Sequence, residues 1–433
     1  MNNNDDAQDD DSTAGRRLRW VGAGLVLVAL GVLVWQAVEA GRVADAPEPH
    51  AMVEALAPVA KVERLARADE AQLLHQGVSS GAAALLAPAG PGVTAADETE
   101  VCGLGRVKAD EHGRPRDMAP IQSAAQRLRE QVLPSLLASQ DDNLRAAGLV
   151  MVALDKRGAA VDGVEGGAAR ARDELASMAA FKGTPQVYAW AMRVCQPQRG
   201  EGVCRMLSAD QWARLEPGNA MAWLQVAADA KVRRDEPAVA EAMYRVSHAA
   251  RSDARQGALA GTVLAKLPPE ADMLSRIGLA HELDGLDRRA ELPLVAASQY
   301  CGVNEVRDAN RQQVCAAVAE VLTRRGSTHA EASLGISIGE RAGWPAERVA
   351  AAGEERDALA QLAVAGQADA WSCNALAQTL SRVLQTARQG ELATMRSALR
   401  QSQESVAVLA QRYREAKATR VASAASAASA SAQ

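Results

Sequence analysis

The longest uncharged apolar run in the chain covers residues 20–38, and tryptophans lie close to both of its ends. A helix needs about 20 apolar residues to cross the hydrocarbon core of a bilayer. Arg16, Arg17 and Arg19 precede the run; basic residues stay on the cytoplasmic side of a membrane, and tryptophans favour its interfaces. The pattern predicts a transmembrane helix at 20–38, an acidic cytoplasmic tail at 1–19 and an exported body.

A cleavable signal peptide is the alternative interpretation of the same run. Val38 and Ala40 supply the small residues of a cleavage site, so that the mature chain would begin after Ala40. The run is longer than the usual hydrophobic region of about 7–15 residues, which favours the anchor. Both interpretations export the body, and the short N-terminal anchor is typical of a bacterial inner-membrane protein that faces the periplasm.

Beyond the apolar run, the pattern divides the chain into three parts. Residues 41–119 form a spacer and an irregular segment rich in Gly, Ala and Pro, and helical periodicity begins at about Pro120. From 120 to 417 the pattern predicts helices of about 12–20 residues separated by Gly and Pro breakers. Residues 418–433 have the repetitive composition of a disordered tail.

The composition favours an all-α body. Hydrophobic residues make up 48% of the chain but aromatic residues only 3%, and alanine is abundant. Ala, Leu, Glu, Gln and Arg are good helix formers, and strand-like alternation is missing outside the N-terminal run. The net charge of −5, without a basic cluster, gives nucleic-acid binding no electrostatic basis.

The six cysteines all follow the apolar run, and an even number in an exported chain indicates disulfides. No C-x-x-C occurs, so the spacing of a thioredoxin-type redox motif or a cysteine zinc site is missing. Cys195 and Cys204 flank a short loop in which Pro197 ends the preceding helix. This spacing predicts that they pair at the mouth of a helical hairpin.

The pairing of the other four cysteines depends on where the helices begin. Cys301 and Cys315 would be about 20 Å apart within one helix, so they can pair only if a loop separates them and the helix starts near Asp308. Cys102 and Cys373 then remain, and their pairing would tie the beginning of the helical body to its end.

One stretch carries a repeat-like signature on two predicted helices. Asn219 is placed to cap the first helix, because its side chain can accept from the free N–H groups of the first turn. The signature consists of Pro217, Trp223, Ala240, Tyr244 and Ser247. On these residues, the segment 219–250 resembles a tetratricopeptide repeat. It departs from the repeat pattern by one extra residue between the helices, and Val226-Ala227 replaces the usual Leu-Gly.

The resemblance implies an α-solenoid of antiparallel helix pairs that binds peptides or partner proteins on a concave face. It implies no catalysis and no cofactor. The partner that it predicts is a protein or peptide of the cell envelope.

The pentapeptide 335–339, Gly-Ile-Ser-Ile-Gly, matches the nucleophile elbow of α/β-hydrolases. That elbow needs a strand before the turn and a histidine after the nucleophile. Instead, Thr328 and Glu331 form a capping-box pattern that starts a helix, and no histidine follows Ser337. Ser337 is therefore expected to be an ordinary helical residue, with the two glycines allowing a neighbouring helix to approach.

Other catalytic and metal motifs are missing from the sequence. The six histidines are scattered without H-E-x-x-H spacing, and there is no phosphate-binding glycine loop. A pair of carboxylates acting on peptidoglycan remains the alternative function, because many acids are present and sequence spacing singles out no pair. The favoured interpretation is a membrane-anchored, non-catalytic scaffold or adaptor of the bacterial cell envelope.

Overall fold

Helices dominate the body of the protein, in agreement with its composition. The computed structural model describes residues 98–110, 113–155, 166–288, 293–364 and 370–431, which belong to one unit that extends from Glu70 to Gln433. The predicted tail at 1–19, the crossing at 20–38 and the cleavage site near Ala40 lie outside these ranges. Among the described helices, none combines the length and the apolar character that a membrane crossing requires.

Sixteen α-helices occur in the described ranges. They are α1 (Ala119–Leu137), α2 (Asp142–Ala153), α3 (Gly167–Lys182), α4 (Pro185–Val194), α5 (Ala209–Leu215), α6 (Ala220–Val232), α7 (Glu236–Ser247), α8 (Ala258–Leu264), α9 (Met273–Arg288), α10 (Leu294–Tyr300), α11 (Ala309–Arg325), α12 (His329–Arg341), α13 (Ala346–Val364), α14 (Cys373–Gln389), α15 (Glu391–Gln401) and α16 (Val406–Ser431). Three short 3-10 helices add to them at Gln196–Gln198, Gly202–Met206 and Glu305–Arg307.

A β-hairpin precedes the helices, where the sequence predicts only irregular structure. Strand β1 (Glu98–Val101) pairs antiparallel with β2 (Gly105–Lys108). Gly103 and Gly105 have φ values of 83° and 74°, which favour glycine and allow the tight connection. Strands of four residues are too short for alternation to identify them, which explains why the pattern misses this hairpin.

Capping side chains define many of the helix starts. The Asn219 side chain accepts from Met221 N and begins α6, as predicted. Asp308 caps α11, so that a loop and a 3-10 turn separate this helix from Cys301. Thr328 and Glu331 form a complete capping box at the start of α12. The local signals that the sequence offers are therefore used by the fold.

The helices pack in consecutive pairs, including α6 with α7 and α11 with α12, but the contacts do not stop at neighbours. Helix α1 packs on α9, and α8 and α9 both pack on α14. In a solenoid each unit touches only the next one, so the predicted solenoid is wrong in this respect. The chain closes on itself because apolar residues of β1, α1, α9 and α14 share one core cluster around Trp371.

In the repeat-like pair α6–α7, the buried face of α7 differs from the face that carries the signature residues. The buried residues of α7 are Val239, Ala242, Met243 and Val246. Ala240 is only partly buried, and the side chain of Tyr244 is 48% exposed. Val239, Met243 and Val246 each precede a signature residue by one position, which corresponds to a turn of about 100° around the helix.

The pentapeptide 335–339 lies inside α12, and Ser337 is a half-buried helical residue. A Cβ atom on Gly335 would lie 2.9 Å from the carbonyl oxygen of Ala319 and 2.4 Å from Thr323 Oγ1. A Cβ atom on Gly339 would lie 2.4 Å from the ring of Trp344. The glycines therefore permit the close approach that the sequence predicts, with α11 on one side and the α12–α13 turn on the other.

One further expectation differs from the structure. Helix α16 continues to Ser431, whereas the sequence predicts disorder from residue 418; a tail rich in alanine has high helix propensity. One acid of α13, Asp357, is buried, with 5% of its surface exposed. Its carboxylate bonds to Arg356 and Arg414, which offset the cost of burying the charge.

The six cysteines form the three pairs that the sequence analysis favours. The Cα atoms are 5.6 Å apart for Cys195–Cys204 and for Cys301–Cys315, and 4.7 Å apart for Cys102–Cys373. The last pair fastens the β-hairpin to the start of α14, where Cys102 N also donates to the Trp371 carbonyl oxygen at 2.9 Å. It bridges 271 residues of sequence and closes the helical body.

Candidate functional site

A polar cleft of about 240 Å³ opens where the α6–α7 pair meets α10 and the beginning of α11. Buried side chains of Val239, Ala296 and Tyr300 contribute to its wall, and charged side chains surround them. The lining residues are Lys231, Glu236, Val239, Ala296, Gln299, Tyr300, Glu305 and Arg311. The cleft is thus formed by two separate stretches of chain, residues 231–239 and 296–311.

The four charged groups of the cleft form two internal ion pairs. Lys231 Nζ lies 3.0 Å from a carboxylate oxygen of Glu236, and Arg311 pairs with Glu305. Exposed pairs of this kind contribute little to stability, about 0–1 kcal/mol, so a ligand can exchange them at low cost. The cleft therefore offers one cation and one anion at each pair, with no net charge.

Tyr300 is the largest side chain in the cleft, and Arg311 lies over its ring. The guanidinium carbon is 4.6 Å from the ring centre, within the range of a cation–π contact. Burial raises the pKa of the Tyr300 hydroxyl, and the positive charge of Arg311 opposes this. The adjacent Cys301 is bonded to Cys315, one helical turn beyond Arg311, so the disulfide fixes this wall.

The signature residues Pro217, Trp223, Ala240 and Tyr244 do not line the cleft. Trp223 Nε1 donates to the Pro217 carbonyl oxygen at 2.9 Å and holds the entry to α6. The α7 residues that line the cleft are Glu236 and Val239, the neighbour of Ala240. Sequence reasoning missed Tyr300 and Arg311, and the only local signal for them is their proximity to Cys301 and Cys315.

A polar joint lies at the other end of α7 and α11, formed by residues 251–254 and 326–331. Ser252 pairs with Gly326 in a parallel β-bridge, and Ser252 N donates to the Arg325 carbonyl oxygen at 2.9 Å. Ala254 N donates to Ser327 Oγ at 2.9 Å. The joint therefore connects the α6–α7 pair to the α11–α12 pair by backbone as well as side-chain bonds.

Glu331 is the centre of this joint and is fully buried. Its Oε1 bonds to Ser252 Oγ, and its Oε2 accepts from the backbone and hydroxyl groups of Ser327 and Thr328 at 2.8–3.0 Å. Burial raises the pKa of Glu331 to about 7, although the hydrogen bonds from Ser252, Thr328 and Ser327 lower it.

Two further buried acids have cationic partners. Burial raises the pKa of Glu216, but Arg255, Trp212 and Arg251 outweigh it and hold the pKa below its usual value. Burial raises the pKa of Asp287 to about 6 despite the adjacent Arg193 guanidinium, which is 2.8 Å away. None of these acids lines the cleft, and each connects segments that are distant in the sequence.

The described ranges hold neither a nucleophile elbow at Ser337 nor a cluster of three His, Cys, Asp or Glu side chains suited to a metal ion. His329 Nε2 bonds to the Arg356 carbonyl oxygen at 3.2 Å. It lies two turns before Ser337 on the same helix, about 12 Å away along the axis. The arrangement at Ser337 therefore lacks the base that a serine nucleophile needs.

Comparison with other proteins adds no family assignment. No protein-family model matches the chain, and neither curated proteins nor solved structures give a significant match.

Proposed function

We propose that this protein is a non-catalytic interaction protein whose cleft binds a short segment of a protein partner. The observation that carries the proposal is the cleft itself, in which two exchangeable ion pairs surround a buried tyrosine. Aromatic and arginine side chains dominate the energy of many protein interfaces. A cleft that hydrolyses peptidoglycan would need two carboxylates with different roles. In this cleft, Glu236 and Glu305 each neutralise a cation instead.

The cleft is more polar than the apolar pocket that a drug-sized ligand favours. An extended segment that carries one acidic and one basic side chain matches its charges, because each can take over one member of an internal pair. Val232 and Val295, which follow and precede the lining residues Lys231 and Ala296, are 85% and 49% exposed. They offer apolar area beside the charged groups for the same segment.

The proposed location is the periplasmic face of a bacterial inner membrane, with residues 20–38 as the anchor. The support is the apolar run that follows Arg16, Arg17 and Arg19, together with the pairing of all six cysteines in disulfides. Mass measurement of the protein isolated from membranes tests this. An intact N-terminus in an alkali-resistant membrane fraction supports the anchor, and a soluble chain beginning at Gly41 would show a cleaved signal instead.

Site-specific photo-crosslinking tests the interaction. A photoreactive amino acid at Gln299 in the cleft is expected to capture a discrete partner in native membranes. Exchanging the charges at two cleft positions, Lys231→Glu with Glu305→Lys, preserves the net charge but places like charges together in both pairs. It is expected to reduce capture at least tenfold, which corresponds to about 1.4 kcal/mol.

The matched control exchanges an exposed pair on α7 that does not line the cleft, Glu241→Arg with Arg245→Glu. Capture by this variant should equal that of the wild type. Loss of capture in both variants, or no captured protein at Gln299, would contradict the proposal. Turnover of peptidoglycan by the purified protein would support the carboxylate hydrolase in its place.

A further inference from the structure

The interface between α7 and α11 is open at one end and fastened at the other. Both helices begin at the cleft, with Glu236 and Arg311, and both end at the polar joint. They pack on each other along the way, and the path is about 18–21 Å long. The two helices therefore connect the joint to the cleft.

Glu331 holds the joint through neutral partners. Each of its five hydrogen-bond donors comes from a serine or threonine, either from the backbone or from the hydroxyl group. Oε1 has Ser252 Oγ as its partner, and a hydroxyl oxygen can accept as well as donate. A protonated carboxyl group can therefore donate from Oε1 to Ser252 while Oε2 keeps its four donors.

The ionised carboxylate is costly in the same place. A fully buried charge without a cationic partner loses its hydration, and water can restore that hydration only if the joint opens. The charged groups on the surrounding elements have partners of their own: Arg251 and Arg255 bond to Glu216, Asp253 to Arg255 N, Arg324 to Glu320, Arg325 to the Ala249 carbonyl, Glu391 to His329 N, Arg396 to Glu355, and Arg356 to Asp357.

We propose that Glu331 makes the joint a pH-sensitive hinge, closed when the carboxyl group is protonated and loosened when it is ionised. Loosening frees Ser252 and the segment 251–254 from residues 326–331, so the α6–α7 pair can move relative to α11. The hinge does not depend on any ligand. Its effect on the cleft, a lower affinity for a partner at higher pH, rests on the proposed function.

The direction of the pH effect follows from proton binding. Burial raises the pKa of Glu331 in the closed joint to about 7, and water in the open joint returns it towards the ordinary value of 4.5. The closed state thus binds more protons than the open state between these two values, so opening becomes more favourable as pH rises through that window. From pH 6 to pH 8 the opening equilibrium constant rises about tenfold.

Hydrogen–deuterium exchange of the full-length protein at pH 6 and pH 8 tests the hinge without a partner. After correction for intrinsic exchange, protection of the amides of Ser252 and Ala254 is expected to fall about tenfold at the higher pH. In Glu331→Gln the side-chain amide replaces the protonated carboxyl group, so protection should change little. Glu340→Gln, an exposed substitution on the same helix, should behave like the wild type.

Equal protection of the wild type at both pH values would overturn the hinge. The hinge would also be overturned if amide protection in Glu331→Gln kept the pH dependence of the wild type. Should this variant not fold, infrared difference spectra of the wild type decide: a buried carboxylic acid band at pH 6 that disappears by pH 8 supports the hinge, and its absence at pH 6 refutes it. A hinge that works while crosslinking at Gln299 captures nothing would disprove the proposed function alone.

Discussion

Glycine in the middle of a helix lowers stability unless the missing side chain makes room for something else. Gly335 and Gly353 show both situations within the same protein. The Cβ position of Gly335 meets backbone atoms of α11 at 2.9 Å, which cannot move aside without shifting the helix. The Cβ position of Gly353 on α13 has open space around it.

The two glycines are therefore expected to respond in opposite directions to alanine. Gly335→Ala should destabilise the fold by about 1–2 kcal/mol, because overpacking outweighs the gain of about 1 kcal/mol in helix propensity. Gly353→Ala should stabilise it by up to about 1 kcal/mol. Urea unfolding of the two variants measures both values. An unchanged or raised stability for Gly335→Ala would show that the α11–α12 contact adjusts freely.

Residue-level signals in the sequence predicted the local structure well. Asn219, Asp308 and Thr328 cap their helices because the capping interaction involves only the next three residues. The same locality lets the capping box decide against a nucleophile elbow at Ser337. Glu331, however, bonds to a serine 79 residues away, and no local pattern contains that information.

The buried pair Arg193–Asp287 shows how one ion pair connects three helices. Arg193 belongs to α4 and Asp287 to α9, and Asp287 Oδ2 also accepts from Leu259 N in the first turn of α8. Gly257, the residue before α8, has no side chain to cap that helix. Asp287 supplies the missing acceptor from another part of the chain, which explains why a carboxylate is placed there despite its burial.

Replacing Arg193 alone should lower the free energy of unfolding much more than replacing both members of the pair. Arg193→Met leaves the Asp287 carboxylate buried and unpaired, and should cost about 3–5 kcal/mol in urea unfolding at neutral pH. Adding Asp287→Asn should recover most of that loss, because the amide still accepts from Leu259 N. The control is Arg245→Met. Its partner Glu241 is exposed, so the free energy of unfolding should change by less than about 1 kcal/mol. No recovery in the double variant would mean that packing by Arg193, rather than charge, holds the helices.

The sequence predicts the type of most elements, but it does not predict which elements contact each other. Periodicity and breakers indicate helices, whereas the face that a helix buries depends on its exact rotation, as the exposed Tyr244 on α7 shows. The hairpin β1–β2 is too short for its pattern to be recognised. The cleft combines residues from α6, α7, α10 and α11, so its existence depends on tertiary contacts that the repeat resemblance does not specify.

At the scale of the described helical body, one disulfide fastens the β-hairpin that precedes the helices to the start of α14. Cys102–Cys373 bridges 271 residues and lies beside the cluster of Val101, Ile121 and Trp371, whereas Cys195–Cys204 bridges 9 residues in one hairpin. A cross-link stabilises mainly by reducing the freedom of the unfolded chain, and the effect grows with loop length. The Cys102–Cys373 bridge is the larger constraint on the fold because it closes the longer loop of chain.

Replacing each pair by serines should reveal this difference. Loss of Cys102–Cys373 is expected to cost about 5 kcal/mol and loss of Cys195–Cys204 about 3 kcal/mol, when unfolding is measured without reductant. Peptide mapping under non-reducing conditions first verifies the pairs in the wild type, and a bond from Cys195 to any other cysteine would contradict the hairpin. An equal or smaller loss for the long bridge would mean that the unfolded chain already keeps these segments together, since the entropic argument assumes that its ends are free.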